Sequence, residues 1–202
     1  VRDLEPRWDD DDDRLILTAA HVCGSLSDAG PGAHPVNMAH GGPVLAASHY
    51  LGEVRRSIPL VATDTVSVDA TLIKPRPDIE IDDRVGLGYR PTGIRDLLTG
   101  PPSDFVRVHK AGAKTGVTSG WLEPAVAAHR VRGGRIYTMG WWVEGDDGPF
   151  AQPGDSGSIV VDEEHRVVGM AVAINVPRNG EPHRTFCHSA AAIFASLGIA
   201  LL

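Results

Sequence analysis

Two cysteines, Cys23 and Cys187, are all this chain offers for cross-linking. They allow at most one bridge, so a small scaffold stapled by several disulfides is excluded, and two reduced thiols are expected. Neither stands in a cysteine–histidine spacing that builds a structural zinc site. Basic residues are in deficit, with 19 Lys and Arg against 26 Asp and Glu. A formal charge of −7 without a concentrated basic stretch speaks against a nucleic-acid partner. Nowhere is there an apolar run of about 20 residues, the length a bilayer-spanning helix needs. The longest, at 190–202, is interrupted by Ser196 and Gly198. No signal peptide is visible, and the chain begins at Val1 rather than Met. A removed or omitted upstream segment is therefore expected, with a soluble protein, intracellular by preference and secretion left open.

What is present is an ordinary globular composition, 42% hydrophobic and 22% charged, in 202 residues. That length suits one large domain or two small halves with a sizeable core. Short apolar runs are punctuated by Gly, Pro and Asp, and residues 14–22, 55–61, 65–73, 84–89, 105–109, 135–143, 158–161 and 166–174 read as strands. Such spacing indicates an all-β sandwich or barrel. Only residues 189–202 have strongly helical composition. Residues 9–13 are consecutive aspartates, read as a solvated hairpin tip rather than a calcium site, because one contiguous run wraps an ion poorly. The Gly- and Pro-rich stretch 89–104 is the best linker. It divides the chain into an N-terminal half (1–90), a linker (91–104) and a C-terminal half (105–202).

Three residues carry the chemistry. Ser156 lies in Gly154-Asp155-Ser156-Gly157-Ser158, where flanking glycines allow a tight turn and a close approach of substrate backbone. A serine hydroxyl is a weak nucleophile until a base takes its proton. His21, after Leu17-Thr18-Ala19-Ala20, stands where a strand ends and can serve as that base. Asp69 sits within the apolar run 66–73, where a carboxylate is costly unless it is hydrogen-bonded. Holding an imidazole in one tautomer gives it a partner. Asp64, in a more polar turn, is the weaker candidate. The backbone N–H groups of Gly154 and Ser156 are placed to form an oxyanion hole. A bare Gly-x-Ser-x-Gly also marks the α/β-hydrolase elbow. That fold needs the order Ser, Asp, His and alternating helices, whereas here the order is His, Asp, Ser and the pattern is strand-rich.

With these stretches assembled, the chain resembles the trypsin-like, chymotrypsin-fold serine peptidases, in particular a bacterial-type branch with few disulfides. Val108-His109-Lys110-Ala111-Gly112 through Gly120 resembles the strand-turn that opens the second barrel of that family. Val167-Val168-Gly169-Met170-Ala171-Val172-Ala173 is similar to the strand that lines its primary pocket. An excess of arginine over lysine fits a GC-rich bacterial source. The resemblance implies two six-stranded antiparallel β-barrels with the site between them and a C-terminal helix. The first barrel would lack its first strand, with 1–7 read as one of those remaining. It implies a serine endopeptidase acting through an acyl-enzyme on a protein or peptide substrate, with no cofactor and no metal. The alternative is a latent or inactive module serving as a binding or regulatory domain of a larger protein.

By the same resemblance Phe150 and Ala151 begin the wall of the specificity pocket, and Val172, Ala173 and Ile174 edge it. The absence of an acid at Phe150 points to a small or apolar side chain in the substrate, although Asp146 and Asp147 lie close by. Asp155 is expected to make local hydrogen bonds rather than pair with a new N-terminal amine, because Val1 lacks the apolar-Gly-Gly continuation. Of the other histidines, His34, His40 and His49 are scattered through a loop region, His165 belongs to a turn, and His183 and His188 are placed at the cleft rim. Trp141 and Trp142 alternate across a strand, so one is expected in the core.

Overall fold

The structure, a computed structural model, describes residues 15–23, 35–37, 50–58, 65–66, 68–80, 84–130, 136–175 and 183–199. Residues 1–7, the aspartate run at 9–13, Asp64, His34, His40 and His49 lie outside them. In chain order the strands are β1 (Ile16–Thr18), β2 (Pro35–Asn37), β3 (Tyr50–Ser57), β4 (Thr65–Val66), β5 (Thr71–Pro75) and β6 (Gly93–Ile94). There follow β7 (Val106–Gly112), β8 (Gly116–Leu122), β9 (Ala127–Arg130), β10 (Ile136–Gly145), β11 (Ile159–Asp162), β12 (Arg166–Ile174) and β13 (Arg184–Ser189). A 3-10 turn (Ala20–Cys23) follows β1, and one helix, α1 (Ala190–Leu197), follows β13.

Among the described residues the N-terminal half forms a four-stranded antiparallel sheet in the order β1-β5-β3-β2. The C-terminal half runs β11-β7-β8-β10-β13-β12, and β12 pairs back onto β11, closing a six-stranded antiparallel barrel. β4 and β9 pair with the start of β10, and β6 with the start of β12. Closure leaves these six strands with no free edge.

The side-chain pattern explains the layers. β7 alternates, with Val106, Val108 and Lys110 turned inward. Trp141, Leu122, Val143, Val160, Val168 and Phe150 fill the barrel interior with them. β12 is buried at every residue from Val167 to Val172, because both of its faces are covered. Its other face, through Met170 and Val172, joins a second cluster with Ala19, Ala20, Val68 and Leu72 of the first half and Ile193 and Leu197 of α1. This shared cluster is where the two halves meet. α1 starts at Ser189, whose side chain accepts the Ala192 N–H at 3.3 Å. It stops at Gly198, which adopts the left-handed conformation at φ 60°. Arg56 of β3 donates to the Leu197 carbonyl at 2.7 Å, tying the end of the helix to the first sheet.

Several expectations need correction. Residues 84–89 form turns rather than a strand, since Val85, Gly86 and Gly88 take φ of 35°, 72° and 87°. Within the stretch read as a linker, Gly93 and Ile94 pair with β12, and Leu97 is buried in the barrel core. The helix is shorter than 189–202, because Gly198 ends it and β13 occupies Ser189. Cys187 is a free, buried thiol, which burial pushes to about 12. Trp141 is the core member of its pair, while Trp142 packs edge-on against His129 and Phe186.

His188 is not at the cleft rim. It is fully buried on β13, where its Nδ1 donates to the Thr138 carbonyl at 3.1 Å and its Nε2 has no hydrogen-bond partner among the described residues. Burial drives its pKa from 6.5 down to about 4. The folded state therefore excludes a proton that the unfolded chain accepts, and stability falls as pH drops from about 6.5 towards 4. Urea unfolding across that window is expected to show a loss of up to ~3 kcal/mol from this residue. His188→Met should flatten that slope; an unchanged slope would contradict the burial of a neutral imidazole.

Candidate active site

His21 sits on the 3-10 turn directly after β1. Ala19 and Ala20 ahead of it are wholly buried, so the chain bends without a bulky side chain in the way. The Val22 N–H closes the turn on the Ala19 carbonyl at 3.1 Å. Asp69, immediately before β5, grips this turn twice. Its Oδ1 accepts the His21 backbone N–H at 3.1 Å, and its Oδ2 lies 2.6 Å from His21 Nδ1. A carboxylate only accepts, so Nδ1 carries the proton and Nε2 is left with a free lone pair. Oδ2 also accepts the hydroxyl of Tyr137 from β10.

Asp69 has no exposed surface, whereas the His21 side chain is 31% exposed. Burial alone would raise the Asp69 carboxyl. The hydrogen bond and charge of His21, together with the Tyr137 hydroxyl, hold it below its ordinary value. The pair is thus a buried anion oriented towards a partly open base.

Ser156 rides on a turn that two glycines make feasible. Gly154 and Gly157 have φ of 107° and 95°, a region L side chains rarely adopt. At Gly157 a Cβ would also run into Thr18 Oγ1. The Ser156 turn is therefore seated against the end of β1, close to the start of the His21 turn. Main-chain bonds from Gly157 N–H to the Ala171 carbonyl (2.8 Å) and from Ala171 N–H to the Ser158 carbonyl (2.9 Å) fasten it to β12. Ser156 Oγ donates to the Val172 carbonyl at 3.5 Å, and no hydrogen bond joins it to His21. Neither the Gly154 nor the Ser156 N–H donates to a backbone carbonyl among the described residues.

Beside Ser156 opens a cleft of about 200 Å³. Ala171, Val172, Ala173 and Ile174 of β12 form one side, and Ala151, Gln152, Pro153 and Thr185 form the rest. Four of the expected pocket residues are here: Ala151, Val172, Ala173 and Ile174. Phe150 is not. It is fully buried in the barrel core, with its carbonyl held by Thr118 Oγ1 at 2.8 Å. The chain turns between Phe150 and Ser156, and the cleft wall begins one residue later, at Ala151. Among the described residues no acid lines the cleft, and Asp146 is paired with Arg107. Among the described residues no cluster of His, Cys, Asp and Glu could hold a metal ion.

No protein-family model and no curated protein matches this chain in sequence. Solved structures do match in shape. Chymotrypsin of Cellulomonas bogoriensis is 14% identical with a TM-score of 0.58, over 92% of this chain and 84% of that one. Protease A of Thermobifida fusca is 18% identical with a TM-score of 0.60, over 92% and 83%. A Nocardiopsis protease is 16% identical with a TM-score of 0.59, over 93% and 84%. The chain has the chymotrypsin-like fold of bacterial serine proteases.

Within this chymotrypsin-like fold the turn around Ser156 rests on a buried ion pair. Asp155 accepts from the Lys114 N–H (2.7 Å), the Gln152 N–H (2.9 Å) and Thr115 Oγ1 (2.9 Å). Lys110 Nζ lies 3.6 Å from Asp155, donates to Thr115 Oγ1 at 2.7 Å and hangs 5.5 Å over the Phe150 ring. Both charged side chains are fully buried. Burial would raise the Asp155 carboxyl, but these donors and the Lys110 charge keep it below its usual value. Asp155 thus makes the local hydrogen bonds expected of it. Lys110 was missed because the strand read from the sequence stopped at His109. The available signal was a charged residue at the next inward position of an alternating strand.

Removing one partner of this pair strands the other charge in the core. Lys110→Met is expected to lower stability by about 3 kcal/mol, with the double variant Lys110→Met/Asp155→Asn recovering part of the loss. A single variant within ~0.5 kcal/mol of wild type in urea unfolding would contradict the pairing.

Proposed function

We propose that the chain is a serine endopeptidase in which Ser156 is the nucleophile, His21 the general base and acid, and Asp69 the group that orients the imidazole. The observation that carries this reading is the 2.6 Å contact between His21 Nδ1 and Asp69 Oδ2, with the Ser156 turn seated against β1 beside it. A buried carboxylate facing Nδ1 leaves Nε2 as the acceptor on the side where a nucleophile is needed.

The chemistry follows from these positions. A rotation about the Ser156 side chain takes Oγ off the Val172 carbonyl and towards His21. Nε2 removes the hydroxyl proton as Oγ bonds to the substrate carbonyl carbon. The negative charge that develops on oxygen is met by the N–H groups of Gly154 and Ser156. The C–N bond breaks as His21 passes its proton to the leaving amine. Water, activated by the same imidazole, then cleaves the acyl-enzyme. Asp69 remains ionised throughout, a role its lowered pKa favours.

The cleft favours a small, uncharged side chain before the scissile bond. Its walls carry methyl groups, Ile174 and Thr185, and the Thr185 hydroxyl already accepts the Ala151 N–H at 3.1 Å. Burying Lys, Arg, Asp or Glu there would leave a charge unpaired. A second reading, a latent module awaiting a partner that orders the site, is favoured by one observation: Ser156 Oγ contacts Val172 rather than His21.

Ser156→Ala is expected to lower kcat on any cleaved peptide by roughly 10⁴-fold or more. Cleavage of a peptide library that persists in the purified variant would overturn the assignment. In the same library, wild type should select Ala, Val or other small residues at the cleaved position, and a preference for Lys or Arg would contradict the cleft as described. Cleavage by a longer form of the chain but not by this one would favour the latent reading.

A further inference from the structure

We propose that Tyr137 is a positioning residue of the His21–Asp69 pair, its hydroxyl fixing the carboxylate so that His21 Nε2 stays aimed at Ser156. The proposal rests on the hydrolase reading above. Its hydroxyl donates to Oδ2, the same oxygen that receives the His21 Nδ1 proton. Among the described residues the other two hydrogen bonds to Asp69 both come from His21 and would move with it. Tyr137 is the donor that comes from the other sheet, so it holds the carboxylate against an independent frame.

That frame is well determined. Tyr137 pairs with Val66 of β4 on one side and with His129 of β9 on the other. The ring is nearly fully buried, with centroids 5.0 Å from His188 and 6.3 Å from Phe186. β10 turns at Met139, where φ is 53°, so its first residues reach β4 while the rest remain in the barrel. Phenylalanine would fill the same space. A buried hydroxyl is costly unless it is bonded, so Tyr137 is accounted for by what its oxygen does at Asp69. The titratable groups facing Asp69 are His21, Tyr137 and His188, and His188 is held neutral by burial.

The test uses Tyr137→Phe and a fluorophosphonate probe, with the inactivation rate constant and the probe's apparent affinity measured separately. The rate constant is expected to fall about ten- to a hundredfold with affinity unchanged, the size of a lost hydrogen bond to a charged group. In an Asp69→Asn background the same substitution should cost nothing further. In the proton NMR spectrum the low-field resonance of the His21–Asp69 hydrogen bond should move downfield, because Oδ2 loses its competing donor. An unchanged rate with an unmoved resonance overturns the proposal, as does an equal loss in the Asp69→Asn background. A wild-type protein that never reacts counts instead against Ser156 as nucleophile. The resonance then still decides for or against Tyr137.

Discussion

Everything at this site depends on keeping one carboxylate ionised where no water reaches it. Asp69 has no exposed surface and lies between Val68 and Ala70, both buried. Such an anion is tolerated only if its lone pairs are met, and among the described residues three donors meet them: the His21 main chain, the His21 ring and the Tyr137 hydroxyl. The donors come from the turn after β1 and from β10. The condition that stabilises Asp69 is therefore also the condition that registers the two halves of the molecule. The shared apolar cluster of Ala19, Val68, Met170, Phe186 and Leu197 supplies the bulk of the contact. The hydrogen bonds to Asp69 choose one orientation within it.

The Ser156 turn meets a comparable problem. Its main chain takes conformations that only glycine adopts easily, at Gly154 and Gly157, and it must not drift. Asp155 and Lys110 anchor it from below, and Ala171 of β12 holds it by paired main-chain hydrogen bonds. These constraints act on the backbone, whereas the Ser156 side chain is held by a single long hydrogen bond to the Val172 carbonyl.

The candidate residues drew notice in the chain because their settings are unusual. Asp69 stands out as an acid in an apolar run and Ser156 as a serine between glycines; the structure places Asp69 on His21, and Ser156 on a turn against β1 with its hydroxyl on the Val172 carbonyl. The all-β class was legible from short alternating runs. What escaped depends on tertiary register. Residues 84–89 look like a strand by composition, yet glycines in left-handed conformations make turns of them. Phe150 was placed in the pocket by likeness to neighbours in sequence, although one residue of reversal sends it into the core. Tyr137 offered no local signal at all, since its role exists only because β10 pairs in parallel with β4.

The central claim, that His21, Asp69 and Ser156 form one working unit, is tested most directly by mapping a covalent adduct. The chain would be treated with a fluorophosphonate, digested, and the modified residue located by mass spectrometry, for wild type and for His21→Ala. The account predicts a single adduct on Ser156 in wild type and none at matched times in His21→Ala. An adduct on another residue, or equal modification of Ser156 in both proteins, would contradict it.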